Sequence, residues 1–234
     1  MMTTPYEDLM NGALNAVRVL VQNTLGKERS VAAAVALSEK TTEITELMIA
    51  ELMRLHPPEQ PLACARGCDA CCRLIRVATD VPSVVRIVMH AQTHLSQAEL
   101  LDLRDRFLES TDQSPGCVWL VNKACSVYGA RPVVCRVFNA YDAGACNVGR
   151  FIDPFGVDTD RKLAEPNRII IGAAVQDGMR QGLESLGIDG RQVLLRAASL
   201  RFLSQADTFA RWIKGERVFE DIAVGIGGGS AQVH

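Results

Sequence analysis

Aromatic side chains are scarce: two tryptophans, three tyrosines and seven phenylalanines make up 5% of the 234 residues. A surface that stacks successive bases needs more, so a single-stranded nucleic-acid platform is not expected. An excess of one charge sign is also lacking. The formal net charge is −2, which points neither to nucleic acid nor to an anionic membrane as partner. No apolar run reaches the 18 or more residues that would suggest a transmembrane helix. The opening MMTTPYEDLM has no basic stretch followed by an apolar one, so no secretory leader is expected and the expected compartment is the cytoplasm. Internal repeats, period-two alternation, a phosphate-binding loop and a Ser/His/Asp signature are missing too.

Helical patterning is abundant. Thr4-Pro5-Tyr6-Glu7 reads as a capped helix start, and Tyr6, Met10, Leu14, Val17 and Val21 then recur every three or four residues. A second helix is expected from about Lys27 to Leu55, with Val31, Val35, Leu37, Ile44, Met48 and Leu55 as its stripe. His56-Pro57-Pro58 ends it, because proline lacks the N–H and disfavours helix in the residue before it. Further helices are expected over Val81 to Ala91 and from Ser96 to Glu109, where Ser96-Gln97-Ala98-Glu99 forms a capping box. Thr111 to Gly116 is turn-rich. Glu165-Pro166 opens a helix carrying Ile170, Ala174, Met179 and Leu183. Asp189 is expected to cap one last helix with Val193, Ala197, Leu200, Leu203, Phe209 and Ile213, ending at Gly215. The expected fold is mainly α, with helical flanks around a loop-rich cysteine core. The organisation is a helical segment 1–60, a cysteine segment 61–150, C-terminal helices 151–223 and a tail 224–234.

All eight cysteines fall in 61–150: Cys64-x3-Cys68-x2-Cys71-Cys72, then Cys117-x7-Cys125-x9-Cys135-x10-Cys146. Two residues between cysteines make a tight loop that brings both thiolates to one ion, and soft thiolates favour zinc or an iron–sulfur centre over magnesium or calcium. A reducing compartment argues against disulfides. Unliganded reactive thiols and buried small hydrophobes are the other readings of such a group. Cys71 and Cys72, being adjacent, do not share one tetrahedral ion comfortably. Eight thiolates suffice for two four-cysteine sites, or for one four-cysteine centre plus four others. Buried thiolates need nearby donors or cations, and Arg66, Arg73, Arg76, Lys123, Arg131 and Arg136 lie close in sequence.

The opening Cys64-x3-Cys68-x2-Cys71-Cys72, together with Cys125-Ser126-Val127-Tyr128-Gly129-Ala130-Arg131-Pro132-Val133-Val134-Cys135-Arg136, resembles the YkgJ-type cysteine-cluster family. That family is described as a zinc- or iron-chelating CxxCxxCC domain. Cys117-Val118-Trp119-Leu120 and Cys146-Asn147 fit its remaining positions. The three-residue gap after Cys64 departs from relatives that have two. The resemblance implies a metal site on Cys64, Cys68, Cys71, Cys72, Cys117, Cys125, Cys135 and Cys146, with Tyr128, Arg131 and Arg136 beside it. It covers about residues 63 to 150 and leaves the helical flanks aside.

Two functional classes stay open. One is a binding, interaction or metal-handling module whose partners are the metal ion and a protein or peptide. The other is an iron–sulfur-dependent redox or protein- or peptide-modifying enzyme, similar to flagellin lysine methylase, which carries the same cysteine box. No strand–glycine–helix unit for a nucleotide cosubstrate accompanies it, and Gly225 to Gly229 reads as a loose tail. His90 and His94 are four apart on a helix but lack the neighbouring glutamate of a metalloprotease motif. Asp153, Asp158 and Asp160 match a calcium loop only loosely and read as a solvated loop.

Overall fold

The computed structural model describes residues 5–65, 67–111, 114, 116–148 and 164–224. Thr4, Arg66, the aspartates 153, 158 and 160, and the tail from Gly225 lie outside them.

The chain is mainly helical, as the patterning implies. Helix α1 (Pro5–Thr24) presents Ala13, Val17 and Val21 to the interior at full burial. Each valine contributes about 1.5–3 kcal/mol by leaving water. Helix α2 (Val31–Leu55) starts four residues later than expected, because the Ser30 hydroxyl accepts from the Ala33 amide and caps it there. Its buried face also differs from the aliphatic stripe. Ser38, Thr41, Thr42 and Thr45 line it beside Leu37, while Leu55 is 51% exposed. The hydroxyls of Thr42 and Thr45 bond back to the carbonyls of Ser38 and Thr41, which lets small polar residues serve as core.

A short helix α3 (Ala70–Leu74) and strand β1 (Ala78–Thr79) lead into α4 (Val81–His94), one turn longer than expected. Asp80 caps α4 through the Ser83 amide at 2.8 Å. Helix α5 (Gln97–Glu109) carries the Ser96–Glu99 capping box with both reciprocal bonds formed. Strands β2 (Leu120–Val121) and β3 (Ala124–Cys125) form a hairpin, followed by a 3-10 turn at Tyr128–Ala130 and the short helices α6 (Val133–Val137) and α7 (Ala143–Asn147).

Helix α8 (Pro166–Ser185) begins where Glu165 caps it and Pro166 opens it. The single last helix expected after Asp189 is three elements instead: strand β4 (Gln192–Leu194), α9 (Leu195–Ser204) and α10 (Thr208–Trp212). Asp189 does not cap a helix. Its carboxylate accepts from the Arg191 amide and guanidinium, and β4 is held by antiparallel pairing on both sides. The sheet order is β1-β4-β5, with β5 at Ala223–Val224 after a 3-10 turn. Sequence patterning missed these strands because two- and three-residue strands are too short to show alternation.

α1 packs along α8, α2 lies against both α1 and α4, and α9 covers α4. A Cβ on Gly178 would sit 2.3 Å from the Leu14 carbonyl oxygen, so the α1–α8 contact requires glycine there. One hydrophobic cluster runs from Ala13 to Ile222, with Trp119 and Trp212 fully buried in it. A small second cluster holds only Ala70, Ala140 and Cys146 among the described residues. Among the described residues, no helix is long and apolar enough to cross a membrane.

Candidate metal centre

All eight cysteines carry free thiols. Several short elements bring them together. The Ala63 amide bonds to the Ala140 carbonyl at 2.8 Å, which lays the Cys64 loop beside the start of the α7 segment. Cys71 and Cys72 stand on α3, and their thiols hydrogen-bond to each other. Arg73 bridges outward from α3. Its guanidinium donates to Asp69 and, at 2.8 Å, to Asn147 at the end of the helix that bears Cys146.

The Cys117 amide donates to the Cys72 carbonyl at 2.6 Å. Gly116 makes that approach possible, with φ +88° and no Cβ against the Arg73 carbonyl. The hairpin then sets Cys125 across from Leu120. Its turn is Asn122-Lys123, both at positive φ, as a two-residue hairpin turn demands. Asparagine was the one local signal for it. The Ser126 amide and hydroxyl both donate to the Trp119 carbonyl and lock the hairpin base. Cys135 sits in α6, which Pro132 precedes, and Val137 of the same helix packs against Gly172 of α8.

Backbone amides aim at several of the sulfurs. The Trp119 N–H donates toward the Cys117 thiol and the Val127 N–H toward the Cys125 thiol, each two residues on. The Ala140 N–H does the same for Cys64. Such bonds favour thiolate over thiol. Burial opposes them and prevails: it raises Cys64 and Cys125, and pushes Cys117 and Cys146 up to about 11. Cys135 is raised further by burial and then by Cys117, Cys71 and Cys125. The Cys72 thiol bond and burial together hold Cys71 well above the usual thiol range. Unliganded, these thiols are kept neutral, so a bound cation would have to supply the compensating charge and displace the protons.

The donor set, eight free thiols with backbone amides aimed at Cys64, Cys71, Cys117 and Cys125, fits a soft ion. As the side chains stand, no three His, Cys, Asp or Glu residues among those described are placed to hold one ion. Ligation therefore has to draw the thiols inward. The two-residue loop between Cys68 and Cys71 and the exposure of Cys64 and Cys68 give that freedom.

Of the neighbouring side chains, Arg131 stacks on the Tyr128 ring at 3.7 Å and lies in electrostatic reach of Cys125 and Cys135. Its Nε is buried with no hydrogen-bond partner among the described residues. The Arg136 guanidinium donates to the carbonyls of Arg131 and Gly129 and pairs with Glu46. Lys123 is exposed in the hairpin turn. Arg168 is a residue that sequence reasoning missed. It donates to the Arg136 carbonyl at 2.8 Å and faces Cys64 electrostatically. Asn139 is another: fully buried, it bonds the Val137 carbonyl and both backbone groups of Glu165, tying the cysteine segment to the head of α8.

His90 and His94 stack on each other, ring centroids 4.1 Å apart, and His94 Nδ1 contacts the His90 carbonyl. They do not converge on a common point with the cysteines. A small, partly open cleft borders Cys117, lined also by Arg76, Thr111, Ser114, Trp119 and Arg196. Trp119 Nε1 is buried without a hydrogen-bond partner among the described residues.

Free thiols, amides turned to sulfur and two facing cysteine groups describe a chelating segment. Residues 63–158 match the CxxCxxCC family model. Its description is "Putative zinc- or iron-chelating domain". All eight cysteines fall within the CxxCxxCC match, and α1, α2, α9 and α10 lie outside it. Searches of curated proteins and of solved structures gave no match.

Proposed function

We propose that the protein binds zinc or an iron–sulfur centre through Cys64, Cys68, Cys71, Cys72, Cys117, Cys125, Cys135 and Cys146, and works as a metal-handling or interaction module in a reducing compartment. The observation that carries this reading is the pair of amides at Trp119 and Val127 turned toward the Cys117 and Cys125 sulfurs. A buried small hydrophobe has no use for a donor aimed at its sulfur, whereas a thiolate ligand does. Arg131, stacked on Tyr128 beside Cys125 and Cys135, supplies positive charge to the same sulfurs in this reading. Arg136 supports it from behind by fixing the Arg131 and Gly129 carbonyls.

Anaerobic purification followed by elemental analysis and a visible spectrum of the same sample tests the reading. Zinc in a colourless protein, or iron with acid-labile sulfide in a brown one, supports it. A chain that holds neither metal after purification or reconstitution overturns it.

A second reading, an iron–sulfur-dependent redox or protein- or peptide-modifying enzyme, draws on the cleft at Cys117. Arg76 and Arg196 give that cleft a cationic lining. Iron in the protein together with binding of an acidic peptide at the cleft would favour it over the module.

A further inference from the structure

Resting on that metal-binding reading, we propose that the cysteines form two separate centres: an inner one on Cys71, Cys117, Cys125 and Cys135, and an outer one on Cys64, Cys68 and Cys146.

Hydrogen bonds and packing divide the thiols in the same way. The Cys117 amide is bonded to the Cys72 carbonyl at 2.6 Å, and the hairpin carries Cys125 back beside it. Cys117 and Cys125 both pack against the main hydrophobic cluster, and Cys135 rides on α6, whose Val133 and Val137 belong to that cluster. The outer thiols are built on other supports. Cys146 belongs to the small cluster with Ala70 and Ala140, and the Ala63–Ala140 bond brings the Cys64 loop to it. Cys64 and Cys68 are exposed.

Electrostatic neighbourhood agrees. Cys135 is in reach of Cys117, Cys71 and Cys125, while Cys146 is in reach of Cys64, Cys68 and Cys71. Cys71 is the residue common to both groups, and Cys72, bonded to its thiol, stands at the junction.

The two centres differ in chemistry. Three thiolates anchored on the core, with Cys71 as the fourth, can complete a tetrahedral ion. Three thiolates leave one position of such an ion to an external ligand. The outer centre therefore takes a soft divalent cation together with an exchangeable ligand, a water or a small thiol, and gives the cation up readily. The inner centre holds its ion as part of the fold.

The test uses the full chain, reduced and loaded with Co²⁺ and then Zn²⁺, with release followed by a chromogenic chelator. Two bound equivalents leaving in two phases are expected. Cys64→Ser and Cys146→Ser each remove the fast phase and leave the slow one. Cys117→Ser and Cys135→Ser remove the slow phase. Loss of all metal in all four variants, or one bound equivalent in the wild type, overturns the division but leaves metal binding standing. No bound metal in the wild type overturns both readings. Should the inner variants fail to fold, alkylation of the loaded wild type decides. Cys64 and Cys68, the two exposed thiols, are expected to label about tenfold faster than Cys117, Cys125 and Cys135, and equal labelling overturns the division.

Discussion

The amide of Cys117 donates to the carbonyl oxygen of Cys72 at 2.6 Å, joining two cysteines that lie far apart in sequence. The bond is available because Gly116, just before it, holds φ +88° beneath the Arg73 carbonyl. Gly116→Ala would place a Cβ 3.0 Å from that oxygen. The left-handed conformation adds about 1–2 kcal/mol of strain for a residue with a Cβ. The expected outcome is a lower melting temperature together with weaker metal binding. A variant with wild-type metal content and stability would show that this junction does not position the thiol.

Arg131 and Arg136 serve the cysteines in different ways, one through charge and one through backbone contacts. Arg131→Met removes charge beside Cys125 and Cys135 and is expected to weaken metal binding about 10–100-fold, the usual cost of losing a group that supports a ligand. Arg136→Met breaks the links to Arg131, Gly129 and Glu46, so it should lower stability more than affinity. Competition titrations and thermal melts on both variants separate the two roles, and identical profiles would refute the distinction.

Chelation of the metal should unfold the middle of the chain before the flanks. Ligand binding energy is folding energy where no preformed site exists, and no three described donors are placed to hold an ion as they stand. In hydrogen exchange, amides of 116–137 are expected to lose protection on metal removal, while those of α1 and α8 keep it. Uniform loss across the chain would argue against a locally metal-dependent segment.

Acid sensitivity has a defined source outside the cysteines. The Arg201 guanidinium holds Asp221 below its ordinary 3.8. At Asp189 burial pulls upward, yet the Arg191 donors prevail and the carboxyl is again lowered from 3.8. Both folded values lie below the unfolded ones. Their stabilisation is thus present above the ordinary value and is lost as pH falls through the depressed values. Asp189→Asn and Asp221→Asn should flatten the acid limb of stability relative to wild type at equal metal loading. Urea midpoints from pH 5 downward measure this, and an unchanged slope would sink it.

Gly178→Ala drives a methyl group into the Leu14 carbonyl oxygen, 2.3 Å from the new Cβ. Overpacking of this kind costs about 1–3 kcal/mol. A clear fall in melting temperature is expected. No fall would mean that α1 can shift away from α8 freely.

The sequence was legible where a signal is local and redundant. Ser96-Gln97-Ala98-Glu99 and Glu165-Pro166 start α5 and α8 as written, because capping needs only neighbours. The eight cysteines and the Arg131-Pro132 box announced the chelating segment for the same reason. Failures came where distant partners decide. Val193 carries a helical period, yet β1 and β5 recruit it into a strand. The α2 stripe was read from aliphatics, while the packed face uses threonines whose hydroxyls find carbonyls within their own helix. Arg168 and Asn139 carry no motif at all. Their roles come from where α8 docks.

That docking sets an order of events. α1 has its main partner in α8, about 150 residues downstream, and closing a loop that long precedes any gain from the contact. A chain made from its N-terminus presents the whole cysteine segment before α8 exists to cover α1. The thiols consequently meet the solvent, and whatever cation it carries, while the outer helices are still waiting to close.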